Sequence, residues 1–166
     1  MPNAILLYRV AHWLYHKRVP FLPILIQGLI FLLYNSKLPY RNEIGKDTKC
    51  ICKGIGVSLV EGTEIGERCR IGIHAVFVGK GPYKQLPRVG NDVWIGPGAV
   101  IMGPVIVGNN SIISANSVVN KSVPDGAIVA GIPAKIIGWV KDLEYDILKN
   151  ESYNDKIMPF LQESQA

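Results

Sequence analysis

The chain has 166 residues, 48% of them hydrophobic and 19% charged, enough for about one domain with its own core and too apolar for a disordered segment. Its 17 glycines and 11 prolines follow no period of three, which excludes a collagen-like chain and predicts many tight turns. The net charge of +5 suits a membrane surface or a small polyanion, whereas the lack of Lys/Arg runs interleaved with aromatics argues against a nucleic-acid partner.

Residues 1–38 read as a helical segment. In "AILLYRVAHWLYHKRV" (4–19), Leu7, Val10, Ala11 and Leu14 recur at helical intervals. His12 and His16 lie four apart on that helix and so share a face. They amount to half a metal site, or to exposed polar positions of an amphipathic helix; the second reading is preferred, and no metal is expected. "FLPILIQGLIFLLY" (21–34) follows, within 16 residues that carry no charge and are interrupted by Pro23, Gln27 and Gly28. A bilayer-spanning helix needs about 20 such residues. Nor does the segment read as a signal peptide, because no small-residue cleavage site follows it. It is expected to pack against the rest of the protein or a partner subunit. The alternative is a helix in a membrane interface, helped by Arg9, Lys17 and Arg18.

A period of six dominates the middle of the chain. "IGPGAVIMGPVIVGNNSIISANSVV" (95–119) places Ile95, Ile101, Val107, Ile113 and Val119 at equal steps. Counting back gives Val89, Tyr83, Phe77, Ile71, Ile65 and Leu59. Ile44 and Cys50 are also six apart, but nine residues separate Cys50 from Leu59, so the register slips by three there. In repeats such as "IGERCR" and "VGNDVW" a Gly follows the aliphatic residue, and "IGERCR" and "IGPGAV" carry a small residue four places on. Six fits neither a helix nor plain strand alternation; it reads as a solenoid of short strands and turns. The aliphatic residue points inward, the small one fills the space beside it, and Gly or Asn accepts the corner's backbone angles. Three hexads close one triangular coil, and each coil pairs only with those above and below. Helices at the termini would cover the open ends.

The three cysteines lack a disulfide framework's spacing, which favours a reducing compartment. Cys50-x-Cys52 has no second ligand pair at zinc spacing, and Cys69 fills a small inward position, so all three read as structural. "GKGPYKQLPR" (79–88) has no repeat chemistry, yet Phe77 to Val89 is twelve residues, two whole hexads. It is expected to leave the coil as a loop and return in register, carrying Lys80, Lys84 and Arg88 as binding candidates. His74, in "RIGIHAVFVGKG", is the one histidine inside the repeats. Beyond Gly138, Val140, Leu143, Ile147 and Leu148 predict a C-terminal helix within 139–166. No linker divides the chain.

The repeats over about 40–138 and the closing "VPDGAIVAGIPAKIIG" (123–138) resemble the hexapeptide-repeat acyltransferases. The N-terminal segment resembles their short serine-acetyltransferase-like branch, associated with surface polysaccharide synthesis. The resemblance implies a mainly β, left-handed parallel β-helix over 39–138, with N-terminal helices and a C-terminal helix, assembled as a homotrimer. It implies an O-acetyltransferase with acetyl-CoA as co-substrate and a small hydroxyl acceptor, a polysaccharide sugar or L-serine. With the cysteine usage, the expected location is the cytoplasm, and peripheral contact with the inner face of the membrane through 21–34 stays the alternative. The pantetheine arm would lie beside Trp94, Gly96 and Ala115, then Ala130 and Gly131. Lys135 would meet the phosphate end, with charge added by Lys80 and Lys84.

By the same resemblance, His74 matches the His of an aliphatic-polar-His-Gly-Val-Thr-Leu-Gly-Gly run. Ala75 then stands at the Gly and Gly79 at a later one, with one extra residue near Gly72–Ile73. A base of near-neutral pKa suits removal of a hydroxyl proton. The sequence departs from the family at an upstream Asp-His-Ala-Thr-Gly motif: "ICKGIGVSLVEG" (51–62) places Cys52 or Lys53 there and has neither His nor Asp. Glu61 and Glu64 are the remaining candidates to orient His74. The second functional class is a non-catalytic scaffold of the same fold.

Overall fold

The computed structural model describes residues 2–143. Two-residue and three-residue strands recur with the hexad period and stack in parallel on three faces. The first face holds β1 (Glu43–Ile44), β4 (Glu64–Ile65), β7 (Arg88–Val89) and β10 (Ile106–Val107). The second holds β2 (Lys49–Cys50), β5 (Arg70–Ile71), β8 (Trp94–Ile95), β11 (Ile112–Ile113) and β13 (Ala127–Gly131), with β14 (Ala134–Trp139) folded back antiparallel on β13. The third holds β3 (Ser58–Leu59), β6 (Val76–Val78), β9 (Val100–Met102) and β12 (Val118–Val119). The chain visits the faces in that order about four times. This is the expected parallel β-helix.

The core is the hexad column itself. Leu59, Ile71, Ile95, Ile101, Val107 and Ile113 are fully buried, and so are Cys69, Ala75, Ala99, Ser111 and Ser117 four places after their hexad residues. Small hydroxyls fit the interior because the backbone satisfies them. Thr48 Oγ1 donates to the Gly66 carbonyl at 2.7 Å and accepts from the Cys69 amide at 3.0 Å.

The corners revise one expectation. The Gly after each hexad residue is not there for its dihedrals; the left-handed residue comes two places later, as at Asp47, Arg68, Asp92 and Asn110. That Gly is needed because the coils touch. A Cβ on Gly66 would stand 2.4 Å from the Gly90 carbonyl oxygen, and nothing in a close-packed stack can yield that much.

Two departures from six are now explained. The slip after Cys50 is a 3-10 turn over Ile51–Gly54, in which Cys52 and Lys53 both have positive φ. The segment 79–88 joins the third face to the first, a step that normally takes six residues and here takes twelve, so six are extruded. Tyr83, which falls on the hexad count, lies in that extruded loop and is exposed.

At the N-terminal end, α1 (Ala4–His16) lies across the first coil. Its buried stripe is Ala4, Ile5, Tyr8 and Ala11, with Leu7 packed at its margin, and Val10 faces outward, so the helix is rotated from the face read in the sequence. Arg9 does not face outward to a membrane: its Nη2 donates to the Gly45 carbonyl at 2.9 Å and the Thr48 carbonyl at 3.3 Å. α2 (Leu22–Tyr34) buries only Pro23, Ile30 and Tyr34 within the chain; Phe21 and Leu32 are 77% and 80% exposed. Most of its apolar surface is therefore left uncovered by its own chain. Among the described residues, no helix is long and apolar enough to cross a membrane. The C-terminal helix expected in 139–166 lies outside the described residues, except that 139 ends β14 and Val140–Asp142 form a 3-10 turn.

Candidate active site

Above the first coil, where Cys52, Lys53 and Gly54 also have positive φ, each passage from the second face to the third turns through one left-handed residue. Successive coils place Gly56 (φ 70°), His74 (φ 56°), Gly98 (φ 69°) and Asn116 (φ 56°) there. His is among the few side chains, with Asn and Asp, enriched in this region. Backbone bonds lock the column: His74 N–H donates to the Ile55 carbonyl at 3.1 Å, Gly98 N–H to Ile73 at 2.9 Å and Asn116 N–H to Pro97 at 2.9 Å. The His74 imidazole is thus exposed at an edge of the prism. It lies down over the coil beneath, its Nδ1 only 2.1 Å from where a Cβ on Gly56 would stand. Gly56 carried no signal in the sequence beyond its place in the column.

Ile71 and Phe77 both point inward and are six residues apart, with no bulge between them. Gly72 and Ile73 thus belong to a regular hexad of this chain. In register, His74 holds the corner and Ala75 faces the core, fully buried.

The cofactor candidates gather on the same edge. Gly96 and Ala115 turn the same corner one and two coils above His74, so closely stacked that a Cβ on Gly96 would be 2.5 Å from the Ala115 nitrogen. Gly131 follows in the next tier and donates its N–H to Ser117 Oγ at 3.2 Å. From His74 to Gly131 is three strand spacings, about 14 Å. Ala130 pairs with Lys135 across the β13–β14 hairpin, which leaves the Lys135 ammonium exposed at the upper end. Trp94 stands just before this edge on the second face, between Arg70 and Ile112.

Other candidates are elsewhere. Lys80 and Lys84 belong to the loop at the opposite end of β6. Leu86 seats that loop over Gly62, and Lys84 lines a cleft on the first face with Glu64, Arg88, Ile106 and Ser122. Glu61 pairs with Arg41 at 3.0 Å, and Glu64 pairs with Arg88 at 3.1 Å, so neither orients His74. Cys52 and Lys53 do lie at the His74 corner, one coil below, and they bring no carboxylate or imidazole to it. Among the described residues, no side chain hydrogen-bonds to the His74 ring. Burial pushes the Cys50 thiol up to about 12 and raises that of Cys69, which makes both inert fillers. Cys52 is exposed.

A family model described as "Bacterial transferase hexapeptide (six repeats)" matches residues 87–121. The chain is 36% identical over 137 residues to a serine acetyltransferase of Synechococcus elongatus, covering 81% of this chain and 56% of that protein. It is 34% identical to a serine acetyltransferase of Helicobacter pylori, covering 81% of this chain and 80% of that protein. The crystal structure of a Brucella abortus serine acetyltransferase in complex with coenzyme A superposes with a TM-score of 0.76 at 31% identity, over 82% of this chain and 55% of that one. The chain thus spans little more than half the length of several relatives that it matches. Similarity of this extent, over both the solenoid and the corner that carries His74, shows that the chain belongs to the serine acetyltransferase family of hexapeptide-repeat transferases.

Proposed function

We propose that this protein is an acetyl-CoA-dependent O-acetyltransferase, working as a homotrimer with His74 as general base. The observation that carries the reading is the shared corner: His74, Gly96, Ala115 and Gly131 are stacked along one edge. A track of small residues leaves room for an extended arm, and Lys135 supplies a cation for a phosphate. Acetyl-CoA, when bound, supplies an activated thioester. His74 removes the proton of the acceptor hydroxyl as that oxygen attacks the thioester carbonyl, and returns a proton to the departing sulfur. His74 does so without a buried acid behind it.

The third face supports the trimer. Ser58, Val76, Val100 and Val118 form a flat outward column beside the His74 edge. A second copy docked there buries this column and brings its own 79–88 loop to the corner, so that Lys80 and Lys84 act across the interface. The names of the relatives support L-serine as acceptor. The lack of an Asp-His pair at 51–62 favours a second acceptor, a sugar hydroxyl of a surface polysaccharide. The proposed location is the cytoplasm.

Calorimetric titration with coenzyme A, followed by thiol-release assays with L-serine and with nucleotide-linked or lipid-linked sugars, tests the proposal. Coenzyme A binding and release with one acceptor class are expected. A chain that binds no coenzyme A is a scaffold, and the enzyme reading then fails.

A further inference from the structure

Away from the corner, three metal-ligating side chains meet where α1 crosses the first coil. His12 Nε2 lies 3.1 Å from His16 Nε2 and 3.8 Å from Glu43 Oε2. The three ligand atoms all fall within 4.8 Å of one another. Independent constraints bring them together. The histidines are one turn apart on α1, and Glu43 points outward from β1 because its neighbour Ile44 points in. α1 is fixed in place by Tyr8, whose hydroxyl donates to the Asn42 carbonyl, and by Arg9 on the Gly45 carbonyl.

His12 is oriented as metal-binding histidines are. Its Nδ1 lies 2.8 Å from the Tyr40 carbonyl oxygen, which can only accept. Nδ1 therefore carries the proton and Nε2 keeps its lone pair, aimed at the other two groups. The ring is stacked against Tyr8, with centroids 5.6 Å apart and planes 24° from parallel. A tetrahedral zinc with bonds of about 2.0–2.1 Å sets its donor atoms about 3.3 Å apart. The observed 3.1 and 3.8 Å bracket that spacing.

We propose that His12, His16 and Glu43 bind a divalent cation of the zinc class, with water completing the shell, and so tie α1 to the solenoid. Two imidazoles and one carboxylate favour zinc over magnesium or calcium. This replaces the reading of the histidines as plain polar positions of a metal-free helix. The competing arrangement is a bare hydrogen bond from His16 Nε2–H to His12 Nε2.

The test is calorimetric titration of the EDTA-stripped, tag-free full chain with zinc chloride. One zinc per chain is expected, with Tm raised by about 5–10 °C when free zinc is about 100 times Kd. His16→Gln and Glu43→Gln each weaken binding at least about tenfold. Both side chains are exposed, so the metal-free Tm stays unchanged and shows that the fold is kept. Cys52→Ser, which removes the exposed thiol, leaves binding intact. Absence of binding overturns the site, as does wild-type affinity in either ligand variant, or loss confined to Cys52→Ser.

Discussion

His74 shows how one residue answers to two demands at once. Its backbone must take a left-handed turn, which Gly98 and Asn116 take in the coils above, and its ring must lie across Gly56. Asn is therefore the informative replacement, since it accepts the turn but is no base at neutral pH. His74→Asn is expected to keep the melting temperature and coenzyme A affinity while lowering kcat by about 10²-fold or more. Surviving transfer with the true acceptor would sink the assignment. Gly56→Ala acts on the ring from below: the new methyl group overlaps Nδ1, and the imidazole must swing away. kcat should fall while the KM for acetyl-CoA holds, a split that simple destabilisation does not produce. His74 was legible as a candidate, because an imidazole inside apolar hexads stands out. Its place was not, because the left-handed corner falls three residues after each inward residue and only the stacked coils reveal that offset.

Among the elements, the strands were the most legible, since one inward residue per six fixes both face and register. The two insertions were legible too, as a slip of three after Cys50 and as a loop over 79–88 that keeps the count, because a solenoid tolerates any extrusion that returns the chain to its column. Tyr83 kept the count of six and still left the core. The same tolerance yields a prediction. Deleting residues 80–85 restores six residues between Phe77 and Val89, so the circular dichroism spectrum and Tm should be nearly unchanged. If the loop supplies Lys80 and Lys84 to a neighbour, the KM for acetyl-CoA rises in the same variant. A chain that unfolds would instead show the loop to be structural. β2 makes a second prediction through Cys50, whose buried thiol is held up at about 12. The unfolded thiol ionises near 8.5. Between those values the unfolded chain binds fewer protons than the folded one, so stability present below about pH 8.5 declines toward pH 12. The urea midpoint should drop between pH 8 and 10.5, and Cys50→Val should flatten that drop. An equal drop in the variant would assign the effect to other groups, Tyr8 among them, whose hydroxyl burial also raises.

At the scale of the whole molecule, the unsolved surface is α2. Its apolar character was plain in the sequence, but the side that its own chain covers was not, because a helix apolar all round has no stripe to point with. The fold leaves Leu25 66% exposed and Leu32 80% exposed, and a monomer with that much bare apolar helix is prone to associate. Arg9, one of the cations that would favour a membrane, is already committed to the carbonyls of the first coil. Lys17 and Arg18 remain at the α1–α2 turn. That balance favours a neighbouring subunit over a lipid surface as the cover. The paired substitution Leu25→Lys and Leu32→Lys leaves the buried stripe Pro23, Ile30 and Tyr34 untouched, so the protomer should still fold. Light scattering should then show a smaller assembly than wild type at the same concentration. Should the mass stay constant while the protein stops sedimenting with anionic vesicles, α2 is a membrane contact and the subunit contact lies on the solenoid alone. Removal of residues 1–36 is the harsher form of the experiment. It strips Ala4, Ile5 and Tyr8 from the first coil and uncovers Ile44 and Cys50, so aggregation is expected, and a soluble, folded solenoid would show that the helices do not seal it.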